Sequence, residues 1–257
     1  MWRRLHSAGV ALAQRPRLLR AAGVAASGCT LAFAATRDDV THSFSLFASD
    51  TGKPPEASVI SSPRGTLYEL GRVLGEGAFA VVKLATRRDT GDAYACKLVS
   101  KVQTDTSGLE HEVKVLKSIG LHKHICSLID NFDASSESWA LVFELVTGGE
   151  VFDRICETGA YSEREAAEVV KQVGLALQHI HSKDIVHRDL KPENLLMLSQ
   201  EKGSAIKLCD FGLAGIDHGH KRSISGRTGT LVYMAPEQLY GRKYGREVDM
   251  WALGVLA

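Results

Sequence analysis

The chain has 257 residues, 44% of them hydrophobic and 24% charged, enough for one large domain or two small ones and too apolar for a disordered chain. A net charge of +1 gives no ground for expecting nucleic-acid binding. The five cysteines (Cys29, Cys96, Cys126, Cys156 and Cys209) are scattered without a CxxC pair, which argues for reduced thiols against a disulfide framework or a zinc site.

The small net charge hides an asymmetry. Residues 1–37 carry six arginines (Arg3, Arg4, Arg15, Arg17, Arg20 and Arg37) and no acid, which leaves −5 for the remainder. A basic segment rich in Arg, Ala, Leu and Ser has the composition of an organelle transit peptide, so a targeting peptide over 1–37 and a mitochondrial location are expected. The alternatives are a cytoplasmic protein with an unspecialised tail or a membrane anchor. The uncharged run Ala21–Thr36 is shorter than the roughly 20 apolar residues a spanning helix needs. Dispersed arginines through the first 20 residues argue against a signal peptide. Residues 38–65, with Thr51-Gly52-Lys53-Pro54-Pro55 and Ser61-Ser62-Pro63, read as a linker.

Leu67 to Leu74 predicts a strand, followed by Gly75-Glu76-Gly77-Ala78-Phe79-Ala80-Val81-Val82. Ala80–Ala85 is β-prone, and Thr90-Gly91-Asp92 turns it into Tyr94-Ala95-Cys96-Lys97-Leu98-Val99. A glycine-rich hairpin is neither the strand–turn–helix of a Rossmann site nor a GxxxxGK[ST] loop, but its glycines let backbone N–H groups approach phosphates. Lys97 sits in an apolar run, and Leu109–Ser118 predicts a helix offering it Glu110 or Glu112. His122 and His124 fit the loop after that helix as packing residues better than as a zinc pair. Ala140–Val146 predicts a buried strand. Ser162 with Glu165 forms a capping-box pattern opening a helix to about Lys183, with Ala166, Val169, Val170, Val173, Leu177 and Ile180 at helical spacing.

That helix leads to His187-Arg188-Asp189-Leu190-Lys191-Pro192-Glu193-Asn194. Asp210-Phe211-Gly212 and Gly229-Thr230-Leu231-Val232-Tyr233-Met234-Ala235-Pro236-Glu237 follow. One short segment thus supplies a candidate base, a metal-binding amide and a metal-binding carboxylate, the apparatus for moving a phosphoryl group from ATP to a hydroxyl. In these motifs the chain resembles the eukaryotic protein kinases from about Tyr68 to Ala257, and Lys191 points to their serine/threonine branch. Gly148-Gly149-Glu150 followed by Val151-Phe152-Asp153-Arg154-Ile155 resembles the calcium/calmodulin-dependent kinase group.

The resemblance implies an α+β, bilobal fold over 66–257. Its N-lobe (66–146) would be an antiparallel sheet plus one helix, and its C-lobe (147–257) mostly helical. It implies ATP and Mg²⁺ as ligands. Leu74, Gly75, Glu76, Gly77, Ala78, Phe79, Ala80 and Val82 would cover the nucleotide, with Ala80 standing where the family's third glycine usually sits. Lys97 would pair with the α/β-phosphates and with Glu112, and Phe143 would guard the adenine pocket, whose edge the backbones of Glu144 and Val146 would bond. Asp189 would be the base, Lys191 would steady the γ-phosphate, and Asn194 and Asp210 would hold Mg²⁺. Glu150 and Glu193 match acidic positions that read arginine near the target hydroxyl, and a carboxylate favours basic peptides. Arg188 can bind a phosphorylated loop residue. Among Ser223, Ser225 and Thr228, Thr228 is the expected phosphosite, which implies an upstream activating kinase. Thr230 is expected to contact the catalytic loop.

The resemblance also implies further helices after Ala257, including an arginine that pairs with Glu237. On that reading the kinase is C-terminally truncated and its C-lobe incomplete. Trp251, Leu253, Val255 and Leu256 would then lose cover. Losing a buried charge partner costs roughly 3–5 kcal/mol, comparable with a domain's whole stability of about 5–15 kcal/mol. A catalytically impaired nucleotide-binding scaffold is therefore the competing reading, and calmodulin control is left undecided by these residues. A pseudokinase would lack one of Lys97, Asp189 or Asp210, and none is missing.

Overall fold

The computed structural model describes residues 58–77, 79–158 and 162–257. The basic segment 1–37, most of the proline-containing stretch after it, and Ala78 lie outside the described residues.

The first lobe is one antiparallel sheet: β1 (Val59–Ser61), β2 (Leu67–Glu76), β3 (Ala80–Arg87), β4 (Ala93–Ser100), β5 (Leu128–Asp133) and β6 (Ser138–Glu144), in the order β1-β2-β3-β4-β6-β5. β1 belongs to the stretch read as linker. It pairs Val59–Ser61 with Leu67–Glu69 of β2, so the ordered sheet starts earlier than the turn-forming Ser62-Pro63 suggested. A short β-prone run finds a partner here that composition alone does not reveal. Helix α1 (Thr106–Ile119) packs on the sheet through Leu109, Glu112, Val115, Leu116 and Ile119. It is capped by Asp105, which accepts from the backbone N–H of Ser107.

The second lobe is built on α3 (Glu163–His181), preceded by α2 (Val151–Thr158). The capping box at Ser162 and Glu165 is present, each side chain bonding the other's backbone N–H. Val173, Ala176, Leu177 and Ile180 bury one face of α3, and beyond it β7 (Ile185–Val186) brings in the catalytic loop. A 3₁₀ turn (Pro192–Asn194) leads into β8 (Leu195–Met197), which pairs with β9 (Ile206–Leu208). β10 (Gly215–Ile216) pairs with β7. α4 (Pro236–Leu239) and α5 (Glu247–Leu256) complete the described chain.

A single apolar cluster runs from the sheet through α1 into α3 and α5, joining both lobes. α5 faces α3 with Val248, Asp249, Ala252 and Leu253. Of the four residues expected to lack cover, Leu253 is therefore buried, at 8% exposure, and Leu256 half-buried. Trp251 and Val255, on the other face of the helix, are about half exposed. Among the described residues no helix is long and apolar enough to cross a membrane.

Candidate active site

β4 places Lys97 inward, 5% exposed, and α1 brings Glu112 to it, with Nζ–Oε1 at 2.9 Å. Of the two glutamates on offer the structure selects Glu112, since Glu110 lies on the exposed face of α1. A lysine charge can stay buried there because its ammonium faces a carboxylate. The glycine-rich hairpin lies next to it: Gly75 pairs with Val82 and Glu76 with Val81, and Gly77 donates to the Ala80 carbonyl across the tip. Phe79 is exposed at that tip. Val82, Ala95, Phe143, Val146 and Leu196 share one buried cluster, against which Leu74 packs. Ala95 and Leu196 were not singled out in the sequence, where nothing separates them from other core positions. Glu144 uses its side chain structurally, accepting from the backbone N–H of Ser127 at 2.7 Å and pairing with Lys207 at 2.8 Å.

The catalytic loop converges on Asp189, 4% exposed. Its Oδ1 accepts from the backbone N–H of Thr230 at 2.8 Å and from the Thr230 hydroxyl at 2.7 Å. Its Oδ2 faces Lys191 Nζ at 3.0 Å. Lys191 Nζ also donates to Thr230 Oγ1 at 3.2 Å, as the expected contact between Thr230 and the loop requires. Asn194 Nδ2 donates to the Asp189 carbonyl at 2.8 Å, which leaves Asn194 Oδ1 buried without a hydrogen-bond partner. A buried amide oxygen left open costs free energy unless something takes it up.

Asp210 lies beside this loop in the left-handed region, at φ 60°. Burial pushes its carboxyl above the ordinary range. The Lys97 ammonium opposes that rise, Glu112 reinforces it, and His187 and the Gly212 N–H oppose it further. A close cation favours the ionised form of a buried carboxylate. Asn194 Oδ1 and the Asp210 carboxylate are hard oxygen donors of the kind Mg²⁺ takes alongside nucleotide oxygens and water. These residues fit that ion.

The loop's backbone is held from below. Arg188 has φ 69°, a conformation that costs an arginine roughly 1–3 kcal/mol. Asp249, at the start of α5 and 1% exposed, accepts from the backbone N–H of His187 and of Arg188, each at 2.8 Å. His181 Nε2 lies 2.8 Å from the same carboxylate. His187 is fully buried and packs edge-on to Phe211 with ring centroids 5.0 Å apart. Arg188 donates its guanidinium to the carbonyls of Leu213 and Ala214. Gly229, at φ 115°, leaves no room for a Cβ against the Arg188 carbonyl, which explains a glycine at the start of the Gly229–Glu237 motif.

Glu150 and Glu193 form one acidic patch. Burial pushes the Glu150 carboxyl up, and Asp153 and Glu193 push it further. Glu193 Oε2 is buried without a hydrogen-bond partner. Burial and Glu193 also push up the Tyr233 phenol. His124 bonds the Ile206 carbonyl at 3.1 Å, and His122 stacks on His179 at 4.5 Å, both packing positions. Thr228 is tied through its carbonyl to Gln238.

The profile of the protein kinase domain matches residues 68–257. Myosin light chain kinase A of Dictyostelium discoideum is 43% identical over 193 residues, covering 74% of this chain and 64% of that protein. Calcium/calmodulin-dependent protein kinase type 1 of Caenorhabditis elegans is 41% identical over 210 residues, 80% of this chain and 58% of that protein. Calcium-dependent protein kinase 7 of Arabidopsis thaliana is 39% identical over 207 residues, 77% of this chain and 38% of that protein. The match thus spans less than two thirds of each relative's own length. With the lysine–glutamate pair, the Asp189 loop and Asp210 on one cleft, and a family match over the same residues, the chain belongs to the protein kinase family.

Proposed function

We propose that the chain transfers the γ-phosphate of ATP to Ser and Thr hydroxyls of proteins with basic residues beside the target. The observation that carries this is Asp189, whose carboxylate is held by Thr230 and Lys191 and whose backbone carbonyl is held by Asn194, across from Lys97 paired with Glu112.

The substrate hydroxyl oxygen forms its bond to the γ-phosphorus as the bond from phosphorus to the bridging oxygen breaks and ADP leaves. The hydroxyl proton passes to Asp189. Lys191 stands beside that carboxylate and meets the transferring phosphoryl with positive charge. Lys97 holds the α/β-phosphates while Glu112 fixes its position, and the Gly75–Ala80 hairpin covers them. The adenine lies against Leu74, Val82 and Val146 and bonds the backbone of the Glu144–Val146 segment. Asn194 and Asp210 would hold Mg²⁺, whose charge neutralises the phosphates when bound.

The acidic patch supports the basic substrate class. Burial, then Asp153 and Glu193, make the Glu150 carboxylate costly to ionise, and a guanidinium beside it relieves that cost. Replacing Glu150 and Glu193 by glutamine should raise KM for an arginine-containing peptide by about 10–100-fold, the worth of one or two charge-assisted bonds. kcat should change little. An unchanged KM ratio between basic and neutral peptides would refute the basic preference. Thr228 is the position where an upstream kinase would act. We also propose organelle import, supported by the six arginines and absent acids of residues 1–37. A fluorescent protein fused after residue 37 should reach mitochondria, and diffuse cytoplasmic signal would overturn this.

A further inference from the structure

The segment after β10 closes on itself through two side chains. Asp217, 2% exposed, accepts at Oδ1 from the backbone N–H of Ser223 at 2.8 Å and from its hydroxyl at 3.0 Å. The same hydroxyl accepts from the backbone N–H of His218 at 3.2 Å. Asp217 is fixed from behind, since its N–H donates to the Asp184 carbonyl at 2.8 Å. Gly245 lies so close to Asp217 Oδ2 that even a Cβ has no space. Ser223 itself is exposed. The neighbouring Ile224 is buried with Val186, Ala235, Tyr244 and Val248, and exchanges two backbone hydrogen bonds with Tyr244, at 2.9 and 3.2 Å. A serine open to solvent on one side thus bonds a buried, immovable carboxylate on the other. It sits one residue from Ile224 of that buried cluster.

We propose that Ser223 is a modification site whose phosphorylation opens this clasp and switches the kinase off. The phosphate comes from ATP: the Oγ–phosphorus bond forms, the bond to the bridging oxygen of ADP breaks, and the hydroxyl proton goes to the modifying enzyme's base. Lys221 and Arg222 directly precede Ser223, so the modifying enzyme is a Ser/Thr kinase that takes basic sequences. A second copy of this chain fits that description, a clause that rests on the function proposed above. The ester oxygen no longer carries a proton for Asp217, and a charge of about −1.5 to −2 arrives beside a buried carboxylate. Asp184 and Glu247 add negative charge nearby. Arg222 is already engaged by Glu247 at 2.8 Å, so drawing it to the phosphate frees another carboxylate beside Gly245. Asp217 has nowhere to retreat, so the loop moves, and Ile224 leaves its cluster. Val186 of that cluster belongs to β7, which leads straight into the catalytic loop.

The test uses the full chain with phosphoserine installed at position 223 by an expanded genetic code, and the same modification at Ser225 as comparison. Peptide phosphorylation should fall at least about tenfold for the first and less than about twofold for the second, equivalent to at least about 1.4 kcal/mol between them. Amide exchange at Ile224 and Tyr244 should quicken by at least about tenfold in the Ser223 form alone. Asp217→Asn keeps the bonding geometry without the charge and should reduce the loss of activity to about threefold or less. Unchanged or increased activity with phosphate at 223 would overturn the proposal, and so would lost activity with unchanged exchange. Absence of transfer in every form, the unmodified chain included, would sink the catalytic reading alone, since exchange still decides the clasp.

Discussion

Asp249 shows how one side chain organises chemistry it never touches. Its carboxylate accepts the N–H groups of His187 and Arg188, the two residues before the proposed base Asp189, and so stabilises an arginine backbone at φ 69°. Asp249→Asn keeps the size but puts an amide N–H against a backbone N–H. An orphaned buried donor costs about 1–3 kcal/mol. The melting temperature should fall by about 2–4 °C per kcal/mol for a domain of this size. kcat should drop by about 10-fold or more, one factor of ten for each 1.4 kcal/mol by which the loop geometry is disturbed, with ATP affinity unchanged. Unchanged kcat together with lowered stability would mean that Asp249 supports the fold alone. The residues to which the chemistry is proposed were legible as a cluster because their spacing is local: Asp189, Lys191 and Asn194 fall within six positions. The role of Asp249 was not legible, because it acts across about sixty residues of chain and an aspartate opening an apolar helix looks like an ordinary cap. The same holds for Lys207 on Glu144. Hydropathy patterns report which face is buried, never which polar groups meet.

At the scale of elements, helix α3 was readable almost to the residue, because a capping box and an apolar stripe agree. Spacing alone left Glu110 and Glu112 open as partners of Lys97, and the family resemblance pointed to Glu112, which the structure places on the buried side of α1, whereas β1 escaped notice as a three-residue edge strand. The loop between α1 and β5 carries a pH dependence. His122 stacks on His179 of α3, and burial holds the imidazoles of both His122 and His124 below their ordinary value. His179 and then His124 act in the same direction on His122. For His124 the bond to the Ile206 carbonyl opposes burial, and Lys123 adds to it. A lowered folded pKa favours the neutral ring in the fold. Its stabilisation is therefore complete above the ordinary value of about 6.5 and is lost as the pH falls through the folded value. His122→Phe keeps the stack and removes one titration. Denaturant unfolding between about pH 7 and pH 5 should lose stability less steeply in the variant than in the parent. Parallel slopes would show that His122 does not titrate on unfolding.

At the scale of the molecule, the site exists only where two lobes meet. Lys97 and Glu112 belong to the sheet lobe, and Asp189, Asn194 and Asp210 to the helical lobe. The lobes are stitched close to the chemistry. His111 Nε2 lies 3.0 Å from the Ala214 carbonyl, and a Cβ at Gly212 would come within 3.3 Å of Asp210 Oδ1 and 3.7 Å of Glu112 Oε2. Substitutions on either side of the cleft should therefore separate binding from transfer. The most direct measurement compares Asp189→Asn with the parent chain for phosphate transfer to an arginine-containing serine peptide and for binding of ATP. If Asp189 takes the hydroxyl proton, transfer falls by about 10²–10⁴-fold while the dissociation constant for ATP stays within about threefold. Transfer equal to that of the parent would contradict the role assigned to Asp189 and the function built on it.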